Sequence, residues 1–244
     1  MRLFFALQVV SPWPDRLPPG RFIAEEHRHL TLAFLGESNM PDLESFPKPP
    51  FSIGLSGFFD KLVLLPKHVH PHVAAWHIHW LEGEQILNAY QKQVLQFLKL
   101  NESPFLPHVT IAREPFDKEA WEHQFELLPM YVKDVRLCEL LGYSQYRTIW
   151  AYPLQAPFEE HEHTADIAFV IRGDLYLHAQ LALSFKFPPF LPYIDSRKLT
   201  TVNEIVTALN EIIAKIDSKI GCPLKAVSLH GEIENGEWEM IVDV

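Results

Sequence analysis

Two short tetrads carry the residue types best suited to chemistry: His29-Leu30-Thr31-Leu32 within HRHLTLAFLGE, and His108-Val109-Thr110-Ile111 within FLPHVTIARE. Each alternates polar and apolar, so on a strand the His and Thr share one face and the aliphatic pair takes the other. Imidazole titrates near neutrality and serves as general acid or general base. A neighbouring hydroxyl can hydrogen-bond a non-bridging phosphate oxygen as charge builds there. Two His and two Thr converging on one small substrate are the minimum apparatus for opening a cyclic phosphodiester with water. With 13 His in 244 residues, His-x-Thr arises about 0.4 times by chance. The competing reading is that each His makes one structural hydrogen bond and each Thr is simply a good strand former.

Such residues need strands to hold them, and the chain supplies an α+β pattern. The opening MRLFFALQVV resembles a secretory apolar region but runs into Pro12 and Pro14 without a small-residue cleavage site, so a first core strand is expected. Residues 11–20 are a Pro-rich loop. Further strands are expected over 29–35, 51–64, 74–81, 109–112, 132–141 and 148–154. Ile86, Leu87, Tyr90, Val94, Leu95 and Leu98 recur at helical spacing and predict a helix over 83–99, and Asp117 caps a short helix reaching about Phe125.

The flanks of the tetrads agree in order and spacing. Arg21-Phe22-Ile23 precedes His29, Phe34-Leu35-Gly36-Glu37 follows it, and the second copy reads Pro107-His108-Val109-Thr110-Ile111-Ala112-Arg113. Together with the opening strand, this resembles the 2H phosphoesterases over residues 1–156, in the branch named for bacterial 2′-5′ RNA ligase and regarded as RNA 2′,3′-cyclic phosphodiesterases. The resemblance implies a two-lobed fold, His29 as proton donor, His108 as proton acceptor, and Thr31, Thr110 and Arg113 as substrate-binding residues. The loop over 11–20 stands where that family usually has a helix. A surface ion pair is the competing role for Arg113.

Composition bounds the function. A hydrophobic content of 48% in 244 residues supports one large domain or two small ones. A formal net charge of −10 argues against gripping long nucleic acid by its backbone, while a short RNA end stays compatible. Two cysteines, Cys138 and Cys222, predict reduced thiols and a cytoplasmic location, and no apolar run reaches the roughly 18 residues that span a bilayer. His68, His70, His72, His77 and His79 form a second His-rich region. With a proline inside it and no Asp, Glu or Cys, a solvated or packing role is expected over zinc, with Trp76 or Trp80 able to stack a base.

Pro153, Pro157 and the acidic run Glu159-Glu160-His161-Glu162 mark a change of texture, and a boundary is expected near residue 157. Residues 157–244 hold 14 acidic against 7 basic side chains, so most of the negative charge lies there. The segment begins Glu162-His163-Thr164-Ala165-Asp166-Ile167 and closes Lys225-Ala226-Val227-Ser228-Leu229-His230-Gly231-Glu232-Ile233, then Trp238 and Ile241-Val242-Asp243-Val244. With a helix over 201–216, residues 159–244 resemble archease, a small α+β activator of the tRNA-splicing-type RNA ligase that joins RNA 2′,3′-cyclic phosphate ends. Only residues 217–224 separate that helix from the strand near Lys225, fewer than the family carries, so the domain is expected to be shortened. The resemblance implies a metal site of Asp166, Asp243 and the terminal carboxylate of Val244, suited to Ca²⁺ or Mg²⁺. Glu162 and His163 lie nearby in sequence, and the competing reading makes Asp166 a turn cap and Asp243 a frayed end.

The two halves share a substrate, RNA bearing a 2′,3′-cyclic phosphate. The expectation is an RNA-end processing hydrolase that forms 2′-phosphomonoesters without a cofactor and carries a ligase-activating domain. The alternative is a non-catalytic protein that recognises RNA ends and hands them to a ligase.

Overall fold

Strand β1 (Arg2–Val10) is apolar on both faces, with Leu3, Phe4, Phe5, Ala6 and Leu7 at most 3% exposed. A strand buried on both faces belongs in the middle of a sheet. β1 accordingly pairs antiparallel with β3 (His29–Glu37) on one side and β7 (Leu128–Gly142) on the other. The computed structural model describes every residue except 67–69, 103, 143–144, 163–165 and 234–235. It divides into two units, Met1–Gln155 and Ala156–Val244.

The first unit is a strand-rich, barrel-like arrangement of two groups. One group is β3-β1-β7-β8, with β8 at Gln145–Pro153. The other is β2 (Arg21–Phe22), β6 (His108–Arg113), β5 (Val73–Trp80) and β4 (Ser56–Leu65), paired in that order. The groups join twice: β4 pairs with β7 through Ser56–Phe59, and β3 pairs with β6 at Leu30–Val109. The pairings thus close a ring β1-β3-β6-β5-β4-β7. Its interior takes Leu30, Val109, Ile111 and Ile78, each at most 1% exposed. Helix α1 (Glu84–Phe97) buries Leu87, Tyr90, Gln91, Val94 and Leu95 at helical spacing. Gln91 Nε2 donates to the Leu32 carbonyl at 3.2 Å and ties this helix to the first motif strand. Asp117 caps α2 (Lys118–His123), accepting the Glu119 and Ala120 amides.

β4 begins at Ser56 rather than the expected Phe51. The preceding segment carries Pro47, Pro49 and Pro50, and at Gly54 it lies so close to β7 that a Cβ would stand 1.8 Å from the Val132 carbonyl oxygen. Residues 11–20 form neither helix nor strand, and Trp13 from this loop packs on Phe59 and Trp76, with centroids at 5.4 and 5.9 Å.

The second unit is a four-stranded antiparallel sheet, β11-β12-β10-β9, of β9 (Phe158–Glu162), β10 (Ile167–Ile171), β11 (Ala226–Ile233) and β12 (Glu237–Asp243). Helix α4 (Val202–Ile220) opens on a capping box of Thr201 and Glu204 and runs four residues past the expected end. Helix α3 (Leu175–Lys186) buries Tyr176, His178, Gln180 and Ser184 along with its apolar residues, so its sequence has no polar face to betray it. Among the described residues, no helix is long and apolar enough to cross a membrane.

Candidate functional site

The two tetrads lie on adjacent antiparallel strands. Leu30 stands opposite Val109, both fully buried, so in this register His29 faces Thr110 and Thr31 faces His108. The aliphatic members seal the interior and push the four polar side chains to the other face. Directly opposed Cβ atoms stand about 5 Å apart and diagonal ones about 7–8 Å, so the two imidazoles can flank a phosphoryl group held between them. Neither threonine hydroxyl hydrogen-bonds a protein group among the described residues, and both remain able to donate to a ligand.

The two histidines share one local device. His29 Nδ1 lies 2.6 Å from the carbonyl of His27, and His108 Nδ1 lies 2.8 Å from the carbonyl of Leu106. A carbonyl only accepts, so Nδ1 carries the proton in each ring and the neutral Nε2 presents a lone pair. His29 is stacked on Phe4 at 4.9 Å and meets the edge of Tyr146 at 5.2 Å. This burial, aided by the charges of Arg136, His27 and Arg113 and opposed by the His27 carbonyl, pushes its pKa down to about 4. His108 is lowered too, by burial first and by neighbouring His77. Arg136 is itself fixed by two 2.7 Å bonds to Asp134.

Arg113 reaches this face through a bulge. Five residues after His108, strict alternation would send it into the interior. Instead Ala75 pairs with Thr110 and Ala74 with Ala112, so β6 gains one residue on β5, and both Ile111 and Ala112 are fully buried. Arg113 thereby returns to the side of the histidines, and its charge is felt at His29.

In the second His-rich region the structure corrects the expectation for the two tryptophans. Trp76 and Trp80 are 3% and 8% exposed and belong to the core, so neither offers a face for a base. His77 stands opposite His108 in the β5–β6 ladder, and its Nδ1–H donates to Asp60 at 2.7 Å. It therefore lies beside the site, in a packed and hydrogen-bonded position. Strand alternation places it on the same face as His79, and only the pairing register distinguishes them. His70 and His72 turn to Glu114, at 3.9 and 3.3 Å, and His79 packs on Phe58. His68 lies outside the described residues. Thr31, Phe34, Gln91, Asn101, Phe105 and His108 help line a cleft of about 380 Å³ at one side of the tetrads. Arg113, His29 and Thr110 stand outside that lining.

In the second unit, Ile167 pairs with Val242, so Asp166 and Asp243 meet at the same end of adjacent strands β10 and β12. Hard carboxylate oxygens fit Ca²⁺ or Mg²⁺. Among the described residues, no third His, Cys, Asp or Glu joins them as a ready ligand group. Val244 follows β12 and is exposed. His163, Thr164 and Ala165 lie outside the described residues, as does the side chain of Glu162. Cys138 and Cys222 are buried, unbridged thiols.

No protein-family model matches the chain, and no curated protein matches it. Among solved structures it is similar to TT0787 of Thermus thermophilus, at 20% identity and a TM-score of 0.44, over 64% of this chain and 99% of that one. It is also similar to E. coli LigT in apo form, at 19% identity and a TM-score of 0.45, over 63% of this chain and 97% of that one. A structure described as a phosphoesterase aligns at 20% identity and a TM-score of 0.42, over 63% and 98% of the two chains.

Proposed function

We propose that the first unit hydrolyses RNA 2′,3′-cyclic phosphate ends to 2′-phosphomonoesters by two-histidine acid/base catalysis. The observation that carries this reading is the Leu30–Val109 register, which presents His29, Thr31, His108 and Thr110 together on one face. His108 Nε2 takes a proton from water, the water oxygen attacks phosphorus, and the departing 3′-oxygen takes a proton from His29 Nε2. Thr31, Thr110 and Arg113 bind the non-bridging oxygens as negative charge accumulates. His29 is neutral in the free protein, with its pKa near 4, so the anionic diester must draw its proton in by favouring the imidazolium beside it.

For the second unit we infer an archease-like role. It activates a tRNA-splicing-type RNA ligase, and Asp166 and Asp243, with Val244 alongside, hold Ca²⁺ or Mg²⁺. The shared end of β10 and β12 supports the pairing of the two carboxylates. The protein acts in the cytoplasm, a setting with which two unbridged thiols agree. The deciding experiment incubates purified protein with an oligonucleotide ending in a 2′,3′-cyclic phosphate, with EDTA present. A 2′-phosphate product is expected. Tight binding without turnover would favour an end-recognition protein, and neither binding nor turnover would end the RNA reading.

A further inference from the structure

We propose that Arg21 is a second anion contact, binding the phosphate on the 5′ side of the nucleotide whose cyclic phosphate sits between His29 and His108. The inference rests on the hydrolytic reading of that site and extends it to a specificity. Arg21 stands directly opposite Arg113 in the β2–β6 ladder. Like charges in that relation repel, so a bare pair of arginines is unfavourable until an anion joins it. The other arginines in the strands of this unit have partners: Arg2 lies over Phe34, Arg136 is held by Asp134, and Arg147 by Glu139. Among the described residues Arg21 and Arg113 have none, and the acid next in sequence, Glu114, faces His72 and His70.

The direction of Arg21 follows from its neighbour. Phe22 leans toward Trp121, with ring centroids 6.5 Å apart, and successive strand residues point to opposite faces. Arg21 therefore shares the face of Arg113, the face on which His29 feels the Arg113 charge. Because β5 holds the other edge of β6, Arg21 lies on the same edge as β3 but further along β6, and it does not register at His29, so it is displaced along the strand from the reacting phosphorus. One guanidinium near the cyclic phosphate and a second further along the same edge of β6 match two successive phosphates of a single nucleic-acid strand. A guanidinium gives such a phosphate a paired, directional contact that an ammonium cannot reproduce.

The test compares a nucleoside 2′,3′-cyclic phosphate bearing a 5′-phosphate with the same compound bearing a 5′-hydroxyl. The wild-type protein is expected to favour the 5′-phosphorylated compound in kcat/KM by about ten-fold or more, the scale of one charged hydrogen bond. Arg21→Ala should bring that ratio close to one, and Arg21→Lys should keep part of it. A wild-type ratio near one, or a ratio that Arg21→Ala leaves unaltered, would overturn the proposal. Calorimetric binding of a nucleoside 2′,5′-bisphosphate against the 2′-monophosphate separates this from the hydrolytic reading. If neither cyclic compound is turned over, hydrolysis falls. A bisphosphate preference lost in Arg21→Ala would then still uphold the anion contact, and equal affinities would overturn it.

Discussion

At the residue scale, the site is two neutral imidazoles with their Nδ1 protons tied to backbone carbonyls two residues back. His29→Ala or His108→Ala should each lower turnover about 10²–10⁴-fold, the range for general acid–base catalysis. Thr31→Val and Thr110→Val should cost less, since each removes one hydrogen bond. The roles of the two histidines separate with a phosphodiester whose leaving group departs without a proton, such as a nitrophenyl ester. Loss of the donor His29 should matter little there, while loss of the acceptor His108 should still abolish turnover. The opposite pattern would exchange the assignments. A pH profile alone does not separate them, because one protonated and one neutral imidazole give the same bell whichever carries the proton.

At the element scale, three strands create the electrostatics of His29. Phe4 of β1 covers one face of the ring, Tyr146 of β8 closes the edge, and β3 turns Nδ1 onto its own backbone. Folding therefore holds the imidazole neutral with a pKa near 4, below the ordinary 6.5, and the unfolded chain binds the proton more readily. The resulting stability is complete above about pH 6.5 and is lost as pH falls through the window down to about 4. Between pH 7 and pH 5 the loss should be about 2 kcal/mol from His29, with His108 adding in the same direction. Urea midpoints at the two pH values measure it, and His29→Gln should remove most of the difference. The alternation of both tetrads, α1 and the cap at Asp117 were legible in the sequence because they depend on local periodicity and local hydrogen bonds. The bulge at Ile111–Ala112, the pairing of His77 with Asp60 and the two-residue strand holding Arg21 were not. Each is fixed by a partner strand far along the chain, and no pattern within a short window encodes which strand that is. Helix α3 was hidden for a related reason, since its polar residues His178, Gln180 and Ser184 are buried together with its apolar ones.

At the scale of the whole molecule, two units of different chemistry share one chain. The first gathers two imidazoles and two threonines on one strand face, and the second brings two carboxylates to the end of one strand pair. A hard divalent cation that takes oxygens from both carboxylates binds only the folded arrangement that brings them to one strand end. Ca²⁺ or Mg²⁺ added to the full chain should therefore slow hydrogen exchange at the amides of β10 and β12, where local opening separates Asp166 from Asp243, because a ligand selective for the folded state stabilises it by mass action. Asp166→Asn should abolish that slowing. In the proposed reaction the two imidazoles of the first unit complete a proton cycle by themselves, so EDTA should reverse the protection in β10 and β12 while cyclic-phosphate turnover continues at its metal-replete rate. Exchange that ignores the cations would leave the two aspartates as ordinary strand-end residues, and turnover that stops with EDTA would place a metal in the first unit's reaction.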